Sequence, residues 1–269
     1  MKKILGAIAA LAMTVGLAAC GTPASQGTAN QNQLVVGMEA GYPPFNWTQK
    51  DDSNGAVKIQ GTDQYAGGYD VEIAKRVAKQ LGKELVIVKT EWDGLTPALV
   101  SGKIDAIIAG MSPTEERKAT IDFTDSYYDS QLVLVVKKGS KYANATSLAD
   151  FAGAKVTAQL NTFHYSVIDQ IPGVDKQAAM DNFPAMRVAL QAGTIDAYVS
   201  ELPEAISAQA ANSDFVMVKL TDGFKTSPED TQTAVGVKKD SPLTKEINEA
   251  LKTISSEERQ QIMQEAIKN

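Results

Sequence analysis

The sequence predicts an α/β fold built as two similar lobes, and two observations carry this prediction. Continuous apolar stretches, such as residues 34–38, 85–89 and 104–110, alternate with amphipathic stretches of helical period. Strands that are apolar on both faces indicate a sheet covered by helices on both sides. The segments 98–110 and 189–201 both begin Ala-Leu-x-x-Gly-x-Ile-Asp-Ala. This echo predicts one helix–glycine–strand unit in each lobe, and coincidence within a common type of connection is the alternative.

The helices are predicted from apolar residues that recur with a helical period. Over 69–81 these residues form one stripe, and Gly82 follows as the expected residue of the C-terminal cap. Further helices are predicted over 93–101, over 163–171, from Ser241 onward and over 256–268. In open α/β sheets, ligands bind beyond the carboxyl ends of strands. Residues 109–112 and 200–201 are therefore expected to face a shared cleft.

Composition and charge exclude several classes of protein. Of the 269 residues, 43% are hydrophobic and 22% are charged, which excludes a disordered chain, a collagen-like repeat and a polytopic membrane protein. The net charge is -6 and no basic run exceeds two residues, so no nucleic-acid partner is expected. With one cysteine, Cys20, and one histidine, His164, the sequence predicts no intrachain disulfide, no metal site and no cofactor.

Residues 1–19 have the pattern of a lipoprotein signal peptide. Two lysines precede an uncharged, mostly apolar run over 4–17, which is shorter than the roughly 20 residues of a membrane-spanning helix. The segment Leu17-Ala18-Ala19-Cys20 resembles a bacterial lipobox, in which the cysteine thiol is acylated. An ordinary signal peptide that ends in cysteine is the alternative. Residues 20–33 are uncharged and predict a flexible tether, so we expect lipid anchoring on the extracytoplasmic side of the cell membrane.

Four segments carry a family resemblance: YPPF at 42–45, GGYDVEIAKRVAKQLG at 67–82, EWDGLTPALVSGKIDAIIAGMSPTEERK at 91–118 and IDFTDSYY at 121–128. They resemble the polar amino-acid family of solute-binding proteins, which serve ATP-driven importers. The resemblance covers nearly the whole chain after the tether and is most specific over 91–128. It implies the two-lobed type II fold of periplasmic binding proteins, in which two crossover strands join lobes that close on an amino acid.

The resemblance also implies where the lobes begin and end. Lobe 1 would comprise residues 34–129 and 230–269, and lobe 2 would comprise residues 130–229. The chain would leave lobe 1 near 128–131 and return near 229–232. The implied partners are a free L-amino acid and the permease subunits of an importer, and a monomer is expected.

The carboxylate of the ligand is expected to bind near Ser112 and Arg117. The segment 112–115 (SPTE) has the pattern of a helix N-cap, a proline at N1 and a capping-box glutamate, and a helix N-terminus favours an anion. Arg117 follows within the next turn, and its guanidinium can bind a carboxylate through two hydrogen bonds. The alternatives are a solvated arginine and a serine that only caps. The resemblance implies that Arg117 is the carboxylate ligand, with Thr162 added from the other lobe.

The resemblance implies that Glu201, at the end of the second echoed strand, binds the ligand's ammonium. A buried carboxylate requires a neighbouring cation, and the alternative is an exposed acid that caps the helix begun by the following Leu-Pro pair. Gly110 would offer its carbonyl. This chain departs from many relatives at two places. Ala109 and Gly110 stand where serines are common, and Asn161 lies in a segment that is often Gly-Thr-Thr, so the role of Asn161 stays open.

The selectivity pocket is also assigned from the resemblance. Its apolar walls would be Tyr42, Phe45 and Trp92, and its polar groups would be Glu39 and Gln159. Glu39 matches an acid that meets the polar end of lysine, arginine or glutamine in relatives, so a basic or amide side chain is favoured. For Phe45 a place in the core is an equal alternative, and His164 is expected at the surface or rim. The segment 48–66 is longer than the usual hairpin, and either reshapes the pocket or forms an inert surface loop.

Two other classes of function remain as alternatives. Some dehydratases share this fold, but the sequence contains no second histidine, no thiol after the tether and no Gly-Lys-Ser phosphate loop. A sensory ligand-binding domain would need a membrane-spanning and signalling segment after the lobes, and the sequence shows no such pattern. We therefore expect a binding protein and not an enzyme.

Overall fold

The computed structural model describes residues 32–269, which fold into three sheets with surrounding helices. The strands are β1 (Gln33–Met38), β2 (Gly41–Tyr42), β3 (Asn46–Gln49), β4 (Val57–Lys58), β5 (Tyr65–Gly67), β6 (Glu84–Lys89), β7 (Ala106–Ile107), β8 (Ile121–Asp129), β9 (Leu132–Lys137), β10 (Lys155–Thr157), β11 (Asp175–Lys176), β12 (Ala197–Glu201), β13 (Phe215–Val218) and β14 (Gln232–Lys238). The α-helices are α1 (Tyr69–Gln80), α2 (Leu95–Ser101), α3 (Glu115–Lys118), α4 (Phe163–Ser166), α5 (Phe183–Ala192), α6 (Leu202–Ala211), α7 (Pro228–Thr231), α8 (Leu243–Lys252) and α9 (Ser256–Lys268). Short 3-10 helices lie at Ser53–Gly55, Trp92–Gly94, Leu148–Phe151 and Val167–Gln170.

The first sheet has the strand order β6-β1-β7-β14-β8. β1 pairs in parallel with β6 and β7, and β14 pairs antiparallel with β7 and β8. The strands predicted over 34–38 and 85–89 are confirmed as β1 and β6. The helix predicted over 69–81 is confirmed as α1, whose apolar stripe is buried from Ile73 to Ala78, while Leu81 follows the helix and is partly buried. The two C-terminal helices are confirmed as α8 and α9.

The second sheet has the order β11-β10-β12-β9-β13, and its central strand β12 is buried on both faces. β10 pairs in parallel with β11 and β12, and β9 pairs antiparallel with β12 and β13. Successive residues of a strand point to opposite faces. Along β12, Ala197 and Val199 join one apolar cluster while Tyr198 joins another. This two-sided burial is the reason that the strand reads as a continuous apolar run.

The echoed segments adopt the same local structure in the two sheets. α2 and α5 are each followed by a glycine in the left-handed region, with φ 80° at Gly102 and 74° at Gly193, where a side chain would be strained. The aspartate of each copy then ties down a neighbouring strand. Asp105 Oδ2 accepts an N–H of β1 at 2.9 Å, and Asp196 Oδ2 accepts an N–H of β10 at 2.9 Å. The shared sequence therefore encodes a shared structure.

Two segments carry the chain between the first and second sheets. β8 ends at Asp129 and β9 begins at Leu132, and the chain returns between β13 and Gln232. The two segments run side by side, because Ser130 N–H donates to the carbonyl of Thr231 at 2.9 Å and Asp129 pairs in register with Gln232. This is the double crossover that the resemblance implies.

A third, smaller sheet of order β2-β3-β5-β4 includes both ends of the long segment 48–66 and the short strand β4 within it. β5 pairs antiparallel with β3 and β4. The tip of the segment is held against α1, because Lys75 Nζ donates to the carbonyl of Gly55 at 3.0 Å. The segment is thus a folded hairpin extension, and its influence on selectivity stays a prediction.

Three predicted boundaries are wrong. Only two residues of the stretch 104–110 form β7, because the chain turns out of the sheet and reaches the left-handed region at Gly110, with φ 61°. The helix predicted over 163–171 is a single α-helical turn followed by a tighter 3-10 turn. Gln33, the last residue of the tether predicted over 20–33, already belongs to β1 and pairs with β6, and residues 20–31 of that prediction lie outside the described part of the chain.

The N-terminal predictions concern residues that the structure does not describe. The signal peptide over 1–19 and the lipid site Cys20 lie outside residues 32–269. Among the helices that the structure describes, none has the length and apolar character needed to cross a membrane.

Candidate ligand-binding site

The residues predicted to bind a ligand come together between the first and second sheets. One cavity is lined by Tyr42, Trp92, Gly110, Ser112, Arg117, Gln159, Thr162, Phe163 and His164. Two predicted acids adjoin these lining residues: Glu201 contacts Tyr42, and Glu39 contacts Gln159. Most of these side chains follow the ends of strands, as expected for ligand sites in α/β sheets.

Arg117 lies in α3, and the predicted start of this helix is wrong. Thr114, not Ser112, is the N-cap, because its backbone is still extended and its hydroxyl accepts the N–H of Arg117 at 3.4 Å. The Ser112 hydroxyl instead donates to the carbonyl of Asp230 at 2.9 Å. Because α3 makes only one turn, the attraction for an anion rests on the guanidinium and not on a helix dipole.

The Arg117 guanidinium is held in place by groups from both sides of the cavity. Its Nη1 donates to the carbonyl of Ser112 at 2.9 Å and its Nη2 donates to the carbonyl of Asn161 at 3.1 Å. Its Cζ lies 5.1 Å from the centre of the Trp92 ring, within the range of a cation–π contact. Burial lowers the pKa of Arg117 to about 10, so the group stays charged at neutral pH. Within residues 32–269 no carboxylate forms a salt bridge with it.

Asn161, whose role the sequence leaves open, connects the two sides of the cavity. Its φ of 54° lies in the left-handed region, which asparagine tolerates better than most residues. In this conformation its carbonyl accepts from Arg117 and also from Trp92 Nε1 at 3.4 Å, and its amide donates to Asp93 at 2.9 Å. The residue that departs from the common family pattern therefore ties the two sides of the cavity together.

Glu201 ends β12 and is 1% exposed, so the alternative of an exposed acid is wrong. It occupies the N-cap position of α6 but makes no capping hydrogen bond, because its side chain turns toward the cavity. Oε2 accepts the hydroxyl of Tyr42. Oε1 has no hydrogen-bond partner among the described residues and lies 3.8 Å from His164 Nε2.

Glu204, a second buried acid three residues further on, is a carboxylate whose two oxygens both have partners. Glu204 is fully buried, and its Oε1 lies 2.8 Å from Arg187 Nη2 while its Oε2 accepts the hydroxyl of Ser200. Burial raises the pKa of Glu204, and the nearby Arg187 opposes that shift. Glu204 is therefore a structural ion pair, whereas Glu201 keeps one oxygen for another partner.

Tyr42 is the central member of an aromatic stack. Its ring stacks on Phe45 with centroids 4.7 Å apart and on Phe183 with centroids 4.4 Å apart. Burial, with the neighbouring charge of Glu201, raises the pKa of the Tyr42 phenol well above its usual value, so the hydroxyl stays a donor. Phe45 is fully buried and lies behind Tyr42, so it is core and not a pocket wall. The sequence does not mark Phe183 as part of this stack, since its surroundings have the pattern of an ordinary helix start.

His164 is not at the surface or rim, contrary to the prediction. The residue is 6% exposed and lines the cavity, because the short α4 places its side chain toward β12. Phe163 packs beside it with ring centroids 4.3 Å apart. Neither ring nitrogen has a hydrogen-bond partner among the described residues.

Glu39 and Gln159 meet across the sheets beside the cavity, whose wall includes Gln159 but not Glu39. Gln159 Nε2 donates to Glu39 Oε2 at 2.9 Å and to the carbonyl of Asp181 at 3.0 Å. Burial raises the pKa of Glu39 from 4.5 to about 8, and the hydrogen bond from Gln159 lowers it in part. Glu39 Oε1 has no hydrogen-bond partner among the described residues. Nearby, the Thr162 hydroxyl donates to the carbonyl of Gln159 at 2.7 Å.

Gly110 stands where relatives often carry serine, and its surroundings require glycine. Its φ is 61°, and a Cβ placed on it would lie 2.8 Å from a ring carbon of Tyr42. Its N–H donates to the hydroxyl of Tyr127 at 3.1 Å, and that hydroxyl donates to Asp70 Oδ1 at 2.8 Å. The close contact of Tyr42 with the backbone thus explains the departure from serine at this position.

A comparison with protein families decides what kind of protein this is. The model of the bacterial extracellular solute-binding proteins, family 3, matches residues 34–268. The chain belongs to this family. The resemblance drawn from its motifs is confirmed, and the family-3 protein is a binding protein and not an enzyme. Within residues 32–269 no group of three His, Cys, Asp or Glu side chains could hold a metal ion.

Several known relatives of this family-3 protein are named for amino acids. The arginine-binding extracellular protein ArtP of Bacillus subtilis (strain 168) is 30% identical over 94% of this chain and 92% of its own. The ABC transporter glutamine-binding protein GlnH of the same strain is 32% identical over 96% and 94% of the two chains. The amino acid ABC transporter substrate-binding protein AbpA from Streptococcus pneumoniae Canada MDR_19A, solved with L-arginine, has a TM-score of 0.75 at 27% identity and covers 88% of this chain and 95% of that one. This likeness confirms the two-lobed type II fold.

Proposed function

We propose that this family-3 protein captures a free polar amino acid outside the cytoplasm and delivers it to the permease of an ATP-driven importer. The observation that carries the proposal is a pair of opposite charges in one site. Arg117 has no salt bridge to a carboxylate within residues 32–269, and Glu201 keeps one oxygen without a hydrogen bond. A free amino acid brings one carboxylate and one ammonium, so it complements both.

The carboxylate end of the ligand binds Arg117. A guanidinium carries five N–H donors, and carbonyls of Ser112 and Asn161 use two of them. The remaining donors suit a carboxylate, which accepts two parallel hydrogen bonds from arginine. Because the guanidinium is already fixed by those carbonyls and by the Trp92 ring, little rotamer entropy is lost when the ligand binds.

The ammonium end of the ligand binds Glu201. The carboxylate is 1% exposed, and a buried carboxylate without a cation is costly. Tyr42 donates to one oxygen and leaves the other for an ammonium N–H. The ligand's charge therefore compensates a charge that the folded protein leaves unpaired.

The side chain of the ligand reaches toward Glu39 and Gln159, which favours a basic or an amide group. With its pKa raised to about 8 by burial, Glu39 is mostly protonated at neutral pH in the free protein. In that state it can exchange hydrogen bonds with an amide, and in the ionised state it can pair with a cation. Both possibilities agree with relatives named for arginine and for glutamine.

The lobe boundaries and the anchor belong to the same proposal. We propose that residues 34–129 and 230–269 form lobe 1, that residues 130–229 form lobe 2, and that the lobes close on the ligand. All strands of the second sheet fall within 132–218, which supports the division. We further propose that lipid on Cys20 holds the protein at the membrane, next to the permease.

Calorimetric titration of the purified protein with each of the twenty amino acids tests the proposal. We expect a basic or amide amino acid to bind most tightly, with a matching rise in the melting temperature, since a ligand that binds only the native state stabilises it. If no free amino acid binds, the proposed function is wrong.

A further inference from the structure

His164 lies in the wall of the cavity with both ring nitrogens unsatisfied. Its side chain is 7% exposed, and neither Nδ1 nor Nε2 has a hydrogen-bond partner among the described residues. It lines the same cavity as Arg117 and Thr162. Burying a polar group without a hydrogen bond costs free energy, and such groups are rare in folded proteins. The imidazole therefore requires a partner that residues 32–269 do not supply.

The neighbours of the imidazole hold the ring but do not satisfy it. Phe163 and Phe183 pack against it with centroids 4.3 Å and 6.4 Å away, and both are apolar. Nε2 lies 3.8 Å from Glu201 Oε1, which is beyond a hydrogen bond. Because the Tyr42 hydroxyl binds the other oxygen of Glu201, this oxygen and the imidazole nitrogen form a pair of unsatisfied atoms on one side of the cavity.

We infer that His164 is a further ligand-binding residue, whose neutral imidazole accepts a hydrogen bond from the ligand's ammonium beside Glu201. The inference rests on the proposed function, because it assumes that an amino acid binds here. An ammonium has three donors, and two of its hydrogen bonds, each of about 2.9 Å, span acceptors roughly 4–5 Å apart. The separation of 3.8 Å between the two acceptor atoms is close to that span, so one ammonium can bridge them with a small adjustment.

This role makes ligand binding sensitive to acid. Glu201 of β12 is the charged group nearest the imidazole, at 3.8 Å, and Tyr42 of β2 and Arg117 of α3 line the same cavity. Asp169, in the 3-10 turn after α4, is 69% exposed and bound to a lysine. A protonated His164 would lose its acceptor, pair with Glu201 and repel the ammonium. The affinity for the ligand therefore falls where acid protonates this imidazole.

Two variants of His164 separate hydrogen bonding from charge. His164→Phe keeps a ring of similar shape without any acceptor, and His164→Gln keeps an acceptor that cannot take up a proton. Ser166→Ala, on the exposed side of the same helical turn, is the matched control. L-glutamine and L-arginine are titrated into each protein by calorimetry at several values from pH 8 to pH 5.5, and thermal unfolding checks that each variant is folded.

At pH 8 we expect His164→Phe to bind roughly 10- to 100-fold more weakly than the wild type, and His164→Gln to stay within about tenfold of it. Toward pH 5.5 the wild type should lose more affinity than His164→Gln does, because the glutamine amide cannot take up a proton. Contributions from Glu39 are common to both proteins and cancel in this comparison. If His164→Phe does not fold, the pH profile of His164→Gln decides alone.

The outcomes distinguish the two proposals. If the wild type binds an amino acid and the His164 variants match it in affinity and pH profile, the inference is overturned and the proposed function stands. If the wild type binds no amino acid, the proposed function itself fails and the inference falls with it. A shift in Ser166→Ala as large as that in His164→Phe would also overturn the inference, because the effect would then belong to the helix and not to the imidazole.

Discussion

Replacing Arg117 by alanine should remove most of the affinity for the ligand. The guanidinium is desolvated and charged, and it has no carboxylate partner within the described residues. Loss of a charge-assisted pair in such a cleft costs about 2–5 kcal/mol, which corresponds to a dissociation constant about 30- to 4000-fold higher. The substitution also removes hydrogen bonds to Ser112 and Asn161, so the free energy of unfolding should fall by about 1–2 kcal/mol.

Arg117→Lys distinguishes geometry from charge. A lysine ammonium keeps the positive charge but cannot hold two carbonyls and a bidentate carboxylate at once, because it lacks the planar fork. We therefore expect a dissociation constant at least roughly tenfold above that of the wild type. Lys118→Ala is the matched control, since its side chain is 37% exposed and, within residues 32–269, forms its salt bridge with Glu115 at 2.9 Å.

The assay is calorimetric titration with the amino acid that binds the wild type most tightly, accompanied by thermal unfolding of every variant without ligand. A folded Arg117→Ala protein that binds within a few-fold of the wild type would refute the assignment of the carboxylate site. A comparable loss of ligand affinity in Lys118→Ala would also refute the assignment, because the effect would then come from the change in net charge and not from Arg117 itself.

The other predictions concern selectivity, pH, packing and anchoring. Glu39→Gln should lower the ratio of the arginine affinity to the glutamine affinity, because the negative charge is lost while a hydrogen-bond acceptor remains. An unchanged ratio would mean that Glu39 does not pair with a cationic ligand side chain. Burial raises the pKa of Glu39 to about 8, so below that pH a bound arginine must displace a proton from Glu39. The affinity for arginine should therefore rise from pH 7 to pH 8, and binding should release protons. Calorimetry in two buffers of different ionisation enthalpy measures this release. Gly110→Ser should lower the free energy of unfolding by about 1–3 kcal/mol, because φ at Gly110 is positive and Tyr42 leaves no room for a side chain. Gly82→Ser is the control: φ is 65° there but the space around it is open, so thermal unfolding should show a smaller loss of stability. Equal losses in the two variants would contradict the packing argument. Cys20→Ser should move the protein from the membrane to the soluble fraction of the producing bacterium. The lipid anchor is contradicted if the mutant stays in the membrane fraction and labelled palmitate is not incorporated into the wild type.

Local periodicity was sufficient for the elements whose burial follows from their own sequence. The stripe of α1 and the apolar run of β12 each face a core on the side that the pattern indicates. The echo predicted corresponding units in the two sheets, because its glycine and aspartate make the same local contacts in both copies. Family motifs predict Arg117 and Glu201 as ligand-binding residues; Arg117 lines the cavity, and Glu201 contacts Tyr42, which lines the same cavity.

The remaining features depend on contacts between residues far apart in the sequence. His164 of α4 is buried near Glu201, the last residue of β12, and nothing in the sequence around His164 marks that contact. The N-cap of α3 lies at Thr114 because the other candidate, Ser112, is engaged with Asp230. The stacking of Phe183 on Tyr42 likewise joins distant segments. Side chains of this kind are decided by tertiary packing, which a single sequence does not display.

A crystal structure of the protein with its tightest-binding amino acid tests the central claim most directly. The claim is that Arg117 and Glu201 bind the two charged ends of one free amino acid. It predicts a ligand carboxylate oxygen within about 3.2 Å of the Arg117 guanidinium and the ligand ammonium within about 3.2 Å of Glu201 Oε1. A ligand bound outside this cavity, or one whose carboxylate and ammonium contact neither residue, would contradict it.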